Sequence, residues 1–236
     1  MGRNNYFKFK LFTVTQEFSA MKVGADSVIL GAWADITGAD SILDIGTGTG
    51  LLALMMAQRS DAKIIAIEID ETAYKEALSN VESSPWPKKI SVLHSSFQDF
   101  AEKGTTEFDL IISNPPYFEN SSQPEDHRRR NARHNDELPF ADLINGSLKL
   151  LSEKGKLSLI LPVNIAQGFC KLAMDSGLYI NRTLWVRHRP GKPFHRQFME
   201  FSKKETTIDK SVLVIEDQNE FTEDYKNLTR EFYLAF

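Results

Sequence analysis

The residues of this chain best suited to chemistry form the tetrapeptide Asn114-Pro115-Pro116-Tyr117. The Asn114 side chain carries a carbonyl acceptor, and Pro115 has a backbone carbonyl at a fixed φ and no N–H. Two such acceptors can converge on one planar –NH2 group, while the Tyr117 ring can lie against the face of a flat aromatic substrate. The tetrapeptide therefore predicts a seat for an exocyclic amine on a base, or for an amide.

An amine of this kind is a poor nucleophile because its lone pair is delocalised into the ring or the carbonyl. Two acceptors on its hydrogens favour a pyramidal nitrogen, whose lone pair can attack an electrophile supplied elsewhere in the protein. The same tetrapeptide is also typical of a rigid turn that ends a strand. On these four residues alone both interpretations stay open.

The element that must position the tetrapeptide is the apolar run Phe108–Ser113. Its length and composition, between a Gly-Thr-Thr turn and a Pro-Pro pair, predict a buried strand that stops abruptly. Open α/β sheets bind ligands at the carboxyl ends of their strands. The amine seat is therefore expected at the ligand-binding edge of such a sheet.

A second candidate site follows the predicted strand Ser41–Ile45, where Gly46-Thr47-Gly48-Thr49-Gly50 leads into a predicted helix. A strand, a glycine turn and a helix form a nucleotide-binding half-unit, in which glycines let a ligand approach the backbone. Leu51 stands where the dinucleotide fingerprint has its last glycine. Asp44 places at the strand tip a carboxylate that would repel a pyrophosphate but suits an ammonium or a sulfonium.

Three further acids follow predicted strands. Glu68 lies about 20 residues beyond the glycines, where an acid can accept from both hydroxyls of an adenosine ribose, although it could also be a neighbour of a helix cap. Asp70 fits the N-cap of the helix that starts at Glu71. After a third strand, Asp99 could accept from the amino group of an adenine, with Phe100 beside it, or could cap the following helix.

Positive charge is clustered in two places. Residues 118–137 form a long polar insert, and the predicted hairpin around residues 177–202 carries a second basic patch; long loops beside a site are often binding loops, and arginines suit phosphates. A merely solvated charge run is the alternative for the insert. The candidate nucleic-acid-binding residues are Arg128, Arg129, Arg130, Arg133, Arg187, Arg189, Lys192 and Arg196.

Composition bounds the class of protein. The chain has 236 residues, 42% hydrophobic and 25% charged, with a net charge of −4, which is ordinary for a globular domain. It has no run of 18 apolar residues and no signal-peptide core near Met1, so we expect a cytoplasmic protein without a membrane partner. The single Cys170 excludes an internal disulfide and a Cys-built zinc site, and no metal is predicted.

In combination, the glycine turn with Asp44, Glu68 and the Asn-Pro-Pro-Tyr group resemble the S-adenosylmethionine-dependent amino-methyltransferases. Within that class, residues 21–33, the arginine-rich insert and Phe232-Tyr233-Leu234 resemble the bacterial tRNA1(Val) (adenine-N6)-methyltransferase family. The resemblance covers nearly the whole chain, with the motifs in the order and at the strand ends that the family requires.

The resemblance implies an α/β fold, a Rossmann-like seven-stranded class I sheet that is mostly parallel, with a C-terminal antiparallel hairpin and helices on both faces. It implies one domain over 1–236: an N-terminal strand and helix extension over the cofactor pocket (1–40), a core (41–205) and a C-terminal strand and helix (206–236). The implied cofactor-binding residues are Lys22, Asp44, Gly46, Thr47, Gly48, Gly50, Glu68, Asp99 and Phe100, and the implied catalytic residues are Asn114, Pro115, Pro116 and Tyr117.

The implied function is transfer of a methyl group from S-adenosyl-L-methionine to N6 of the adenine next to the anticodon of a tRNA, by a monomer. Another amine substrate remains an alternative, namely a ribosomal-RNA guanine or adenine, a DNA adenine or a protein glutamine. A non-catalytic RNA-binding module that retains the fold is the alternative from a different class. The amine seat argues against this module.

Overall fold

The structure is a computed structural model that describes residues 4–18, 22–115 and 138–236. These residues contain seven α-helices: α1 (Ala25–Trp33), α2 (Leu51–Arg59), α3 (Glu71–Glu82), α4 (Phe97–Lys103), α5 (Phe140–Leu150), α6 (Val163–Asp175) and α7 (Glu223–Thr229). Their strands are β1 (Tyr6–Lys8), β2 (Thr13–Thr15), β3 (Ser41–Ile45), β4 (Lys63–Glu68), β5 (Ile90–His94), β6 (Phe108–Ser113), β7 (Leu151–Pro162), β8 (Tyr179–Arg187), β9 (Arg196–Ser202), β10 (Asp209–Val214), β11 (Glu216–Asp217) and β12 (Glu220–Phe221).

Strands β3 to β10 form one eight-stranded sheet in the order β10-β8-β9-β7-β6-β3-β4-β5. Every neighbouring pair is parallel except the two pairs that β9 makes with β7 and β8. From β3 the chain moves outward to β4 and β5, and it then returns to the other side of β3 as β6. The carboxyl ends of β3 and β6 therefore meet at a topological switch point, where open α/β sheets bind ligands.

The predicted α/β class, the mostly parallel sheet and the antiparallel hairpin β8–β9 are confirmed. The number of strands is not: the sheet has eight strands rather than seven, because β10 adds to the β8 edge in parallel register. The alternating residues near the start of the chain form a separate two-stranded antiparallel sheet, β1–β2.

Helices cover both faces of the sheet and bury two apolar clusters. Side chains of β3 alternate between them, since Ile42 belongs to the cluster under α1, α2 and α3, whereas Leu43 and Ile45 belong to the cluster under α4, α5 and α6. This alternation follows from the two-residue period of a strand. Among the described residues, no helix combines the length and the apolar character needed to cross a membrane.

The segment after β2 is tied to α3 by two buried polar side chains. The Asn80 amide donates to the carbonyl oxygens of Thr15 (2.8 Å) and Thr49 (2.9 Å), and its own oxygen accepts from the Thr15 N–H (2.8 Å). Glu76 accepts from two backbone N–H groups further on, at Glu17 and Phe18. The N-terminal segment is thereby fixed against the helix that follows β4, next to the loop that carries the glycines.

Substitution of Asn80 by Ala removes three hydrogen bonds to buried or half-buried backbone groups at once. We expect the free energy of unfolding to fall by about 2–4 kcal/mol, since each unsatisfied buried group costs about 1–3 kcal/mol and some groups regain water. Urea unfolding measures the change. Ser79→Ala, on the exposed face of the same helix, is the matched control and should stay within about 0.5 kcal/mol of the wild type. Equal effects of both variants would contradict the anchoring role of Asn80.

Candidate active site

A cavity of about 600 Å³ opens at the carboxyl ends of β3, β4 and β6. Its floor and walls include Gly46, Thr47 and Gly48 from the glycine turn, Glu68 from the end of β4, and Asn114 and Pro115 from the residues after β6. The N-terminal segment contributes Phe18, Lys22, Val23 and Ser27. The structure therefore brings the glycine turn, the second acid and the first half of the tetrapeptide into one cavity.

The glycine turn has the backbone conformation that only glycine adopts without strain. Gly46, Gly48 and Gly50 have φ values of +66°, +57° and +82°. A Cβ atom added to Gly46 or Gly48 would meet nothing within 4 Å, so open space lies in front of both residues. Gly50 has another task, because it precedes α2, and a Cβ atom added to it would lie 3.6 Å from the backbone of Ala77 in α3.

Asp44 lies beneath the turn and is fully buried. Its carboxylate accepts from the Thr47 hydroxyl and from the Ala53 N–H (3.1 Å), so it fixes the turn and caps the start of α2. Burial raises the pKa of Asp44 to about 7, and the nearby Glu68 charge acts in the same direction. The sequence predicted a direct ligand contact for Asp44, whereas the structure places it behind the turn and not among the residues that line the cavity.

Glu68 is held at the cavity wall by three backbone N–H groups. One carboxylate oxygen accepts from Ile69 (2.9 Å) and Asp70 (3.0 Å), and the other accepts from Gly48 (2.8 Å). A carboxylate has about four lone-pair sites, so it keeps capacity for a ligand donor in a fixed position. Asp70 accepts from the Ala73 N–H, which confirms its predicted role as the N-cap of α3.

Asp99 and Phe100 are not brought to the cavity. Ser96 is the N-cap of α4 and accepts from the Asp99 N–H (3.0 Å), which leaves the exposed Asp99 in the first helical turn. The Phe100 ring turns toward Phe108, with 6.2 Å between the ring centroids. Ser95, Ser96 and Phe97 line the cavity instead. The spacing Ser96-x-x-Asp99 is a capping pattern and was the signal for this outcome.

Asn114 lines the cavity, and its side-chain amide donates to the Ser27 hydroxyl of α1 (2.9 Å). The preceding residue, Ser113, donates to the carbonyl of Ile45 (3.0 Å), so the end of β6 is bonded to the end of β3 directly below the glycine turn. The other two predicted catalytic residues, Pro116 and Tyr117, lie outside the described residues.

Sequence reasoning missed several side chains of the cavity wall, and two of them, Ser27 and Ile69, bear on its chemistry. Ser27 orients Asn114 from a distant part of the chain, and only the fold reveals this contact. Ile69 is 44% exposed at the cavity. A large apolar residue directly after an acid at a strand end was a signal for Ile69, because it offers a flat apolar surface beside the carboxylate.

Strands β7 and β8 both run antiparallel to β9, and β8 is parallel to β10, so β8 has the same direction as the parallel core strands. The predicted hairpin patch, which follows β8, therefore lies at the same edge of the sheet as the cavity. Arg196 donates to Asp26 (2.7 Å), the neighbour of Ser27, and Arg189 donates to Glu216 (3.0 Å). Within the described residues, Arg187 and Lys192 have no carboxylate partner. The candidate RNA-binding residues of the insert, Arg128, Arg129, Arg130 and Arg133, lie outside the described residues.

Comparison with known proteins gives the family of the chain. Over 236 residues, covering 98% of this chain and 99% of the relative, it is 46% identical to a protein of Trichodesmium erythraeum named tRNA1(Val) (adenine(37)-N6)-methyltransferase. A relative of the same name from Bacteroides fragilis is 42% identical over 97% of this chain and 98% of its own length. This chain belongs to that family.

The fold of this methyltransferase agrees with more distant proteins. A family model described as O-methyltransferase matches residues 5–117. A crystal structure described as a predicted O-methyltransferase from Agrobacterium tumefaciens superposes with a TM-score of 0.69 at 19% identity, over 87% of this chain and 96% of that chain. The likeness to this structure shows the Rossmann-like fold alone. In the described parts of the methyltransferase, no group of three or more His, Cys, Asp or Glu residues could hold a metal ion.

The raised pKa of Asp44 predicts a specific pH dependence of stability. Its unfolded value is 3.8 and its folded value is about 7, so the stability that it contributes is complete below about pH 4 and is lost as the pH rises through about 7. Asp44→Asn cannot ionise. Relative to the wild type, this variant should gain up to about 4 kcal/mol of unfolding free energy between pH 4 and pH 8, three pKa units at about 1.4 kcal/mol each.

Urea unfolding of both proteins at several pH values measures this difference. Exposed Asp99→Asn is the control, because it removes a surface carboxylate instead of the buried one. If the profile of Asp44→Asn ran parallel to that of the wild type, Asp44 would ionise normally in the folded protein.

Proposed function

We propose that this protein transfers the methyl group of S-adenosylmethionine to N6 of the adenine next to the anticodon of tRNA1(Val). One observation carries the proposal: the Asn114-Pro115 amine seat and the open glycine turn face the same cavity at the switch point of the sheet. Relatives that share more than 40% of the sequence over nearly the full length bear the name of this activity.

The residues of the cavity fit the cofactor. The space in front of Gly46 and Gly48 would take its amino-acid part against the backbone, since no Cβ fills that space. Glu68, fixed by three N–H groups, would accept from the ribose hydroxyls, and Ile69 would lie against the adenine. Lys22 in the opposite wall would pair with the carboxylate of the methionine part. A cavity of about 600 Å³ is in the usual range for ligands of this size.

When bound, the cofactor supplies a methyl group on a sulfonium, an electrophile that needs no activation by a metal. The protein itself contributes by holding the target amine in position. The side-chain oxygen of Asn114 and the carbonyl of Pro115 would accept the two N6 hydrogens, which frees the nitrogen lone pair. Ser27 positions the Asn114 amide through its hydrogen bond. Stacking of the base on Tyr117, which lies outside the described residues, stays a prediction of the sequence.

Proton transfer does not limit the reaction, because the amine becomes acidic once it carries the methyl group, and no general base is needed before transfer. Most of the rate enhancement would come from aligning the two reactants and excluding water from the cavity. A base in an anticodon loop is already partly unstacked, so bringing it into the cavity costs less than extracting one from a duplex. A tRNA substrate is met in the cytoplasm, where we expect the protein to act as a monomer.

The direct test is incubation of the protein with labelled S-adenosylmethionine and total RNA from cells that lack the modification, followed by mapping of the labelled nucleoside. Label in N6-methyladenosine next to the anticodon of tRNA1(Val) is the expected result. Label confined to ribosomal RNA, to DNA or to protein glutamine would replace the proposed substrate while keeping the chemistry. Absence of label from every substrate would leave only a binding module.

Two variants distinguish the residue that holds the target amine from the residue that binds the cofactor. Asn114→Ala removes one acceptor of the target amine, and we expect the rate of transfer to fall at least about 100-fold. The dissociation constant of the cofactor, measured by calorimetry, should stay within about threefold. Glu68→Gln should do the reverse, with cofactor affinity about 10-fold or more weaker and a nearly normal rate once the cofactor is saturating.

Ser27→Ala tests the positioning contact and should lower kcat about 10-fold with little change in KM for tRNA, because the base still binds but its amine is less well held. A variant Asn114→Ala that lost cofactor affinity and kept its rate at saturation would contradict the assigned roles.

A further inference from the structure

A second groove lies at the edge of the sheet formed by β8 and β10, away from the cavity. It has a volume of about 370 Å³ and is lined by Trp185, Phe194, Lys210, Ser211 and Val212. The lining is almost entirely apolar, and its one charged side chain, Lys210, is positive. The volume lies near the lower end of the range for ligand pockets, roughly 300–1,000 Å³.

The groove is open because of the alternation of strand side chains. Leu184 and Val186 of β8 point into the apolar cluster under α1 and α7, so Trp185 and Arg187 point to the opposite face. The other apolar cluster reaches only Ile180 at the start of β8, and Trp185 belongs to neither cluster. Val212, which pairs with Trp185 on β10, is 53% exposed. These apolar side chains are therefore not part of the core.

The rings of the groove are combined with cations. Trp185 and Phe194 meet edge to face with 5.7 Å between their centroids, and the Arg187 guanidinium lies 5.3 Å from the centroid of Phe194. Within the described residues, Arg187, Lys192 and Lys210 have no carboxylate partner, in contrast to Arg189 and Arg196. The groove therefore joins two half-buried aromatic rings to cations that have no carboxylate partner among the described residues, in a chain whose net charge is −4.

This combination favours one occupant. Nucleobases stack on aromatic side chains whatever their sequence, and flanking cations bind the phosphates. A protein surface could also cover the apolar area and pair its carboxylates with these cations, and the oligomeric state of the wild type and of Trp185→Leu tests that occupant. The groove also lies on the side of the target site, since β8 ends at the same edge of the sheet as β6. Strands β8 and β6 are three strand spacings apart in the sheet, about 14 Å. This distance exceeds one stacked nucleotide step of about 3.4 Å, so a base in the groove would be a few nucleotides from the target adenine.

We propose that the Trp185–Phe194 groove stacks an unpaired base of the substrate tRNA, a few nucleotides from the methylated adenine, while Arg187 and Lys210 contact its phosphates. The groove is thus a second base-binding subsite that sets the register of the RNA strand across the edge of the sheet. This inference rests on the proposed tRNA methylation, because it assigns a further contact to the same substrate.

The experiment measures the affinity of the cofactor-loaded protein for unmodified tRNA at several salt concentrations. Trp185→Leu keeps an apolar side chain but removes the ring, and the dissociation constant should rise about 10-fold or more, the loss expected for one stacked base. Trp185→Phe restores a ring and should recover most of the affinity. Trp86→Leu removes another half-buried tryptophan near the opposite sheet edge and should leave tRNA affinity within about twofold.

The salt dependence separates the two kinds of contact. Trp185→Leu should leave the slope of log affinity against log salt unchanged, because the base contact is neutral. Arg187→Gln and Lys210→Gln should each lower the magnitude of this slope by about one, which is the contribution of one phosphate contact. Thermal melting and cofactor affinity, which should be normal for Trp185→Leu, exclude a folding defect as the cause.

Three results would overturn the inference. The first is a Trp185→Leu variant that binds and methylates tRNA like the wild type, which removes the subsite and leaves the proposed function intact. The second is a wild-type dimer that Trp185→Leu converts to a monomer, which assigns the groove to a second copy of the chain. The third is a wild-type protein that neither binds nor methylates tRNA, which removes the proposed function together with the subsite.

Discussion

The site depends on the register of one strand pair. Ile45 of β3 lies opposite Ser113 of β6, and the Ser113 hydroxyl donates to the Ile45 carbonyl. The next residue of each strand, Gly46 and Asn114, therefore leaves the sheet beside its neighbour, about one strand spacing of 5 Å apart. A slip of one residue would turn Asn114 to the other face of the sheet. The pairing at the switch point thus decides whether the amine seat and the glycine turn share a cavity.

Buried polar groups hold the loops above this pair in place. Asp44 supports the glycine turn from below, Glu68 is bonded to Gly48 from the side, and Asn80 bonds both Thr49 of the turn and Thr15 of β2. These side chains bond mainly to backbone groups, which have little freedom of their own once the sheet has formed. A cavity built in this way keeps its shape without bound ligand, which reduces the ordering cost of binding.

Charge is distributed so that a chain with a net charge of −4 can take a polyanionic substrate. Arg196 is paired with Asp26 of α1 and Arg189 with Glu216 of β11, so each ion pair joins the hairpin to a neighbouring element. Neighbouring cations that have no such partner among the described residues are not neutralised, so their positive potential can attract an anionic ligand. Local potential rather than total charge governs association with nucleic acids, so the division between structural and free cations matters more than the sum.

The sequence by itself determined the class of fold, the succession of core strands along the chain, the glycine turn, the Asp70 cap and the candidate chemistry of Asn114 and Glu68. These features depend on local patterns: apolar runs of strand length, glycines where φ is positive, and polar residues directly after strands. Only the tertiary structure placed Asp44 behind the turn and Ser27 against Asn114. It also added β10 to the sheet and left Trp185 outside the core. Burial and pairing between distant segments decide these features, and no local pattern of residue types contains that information.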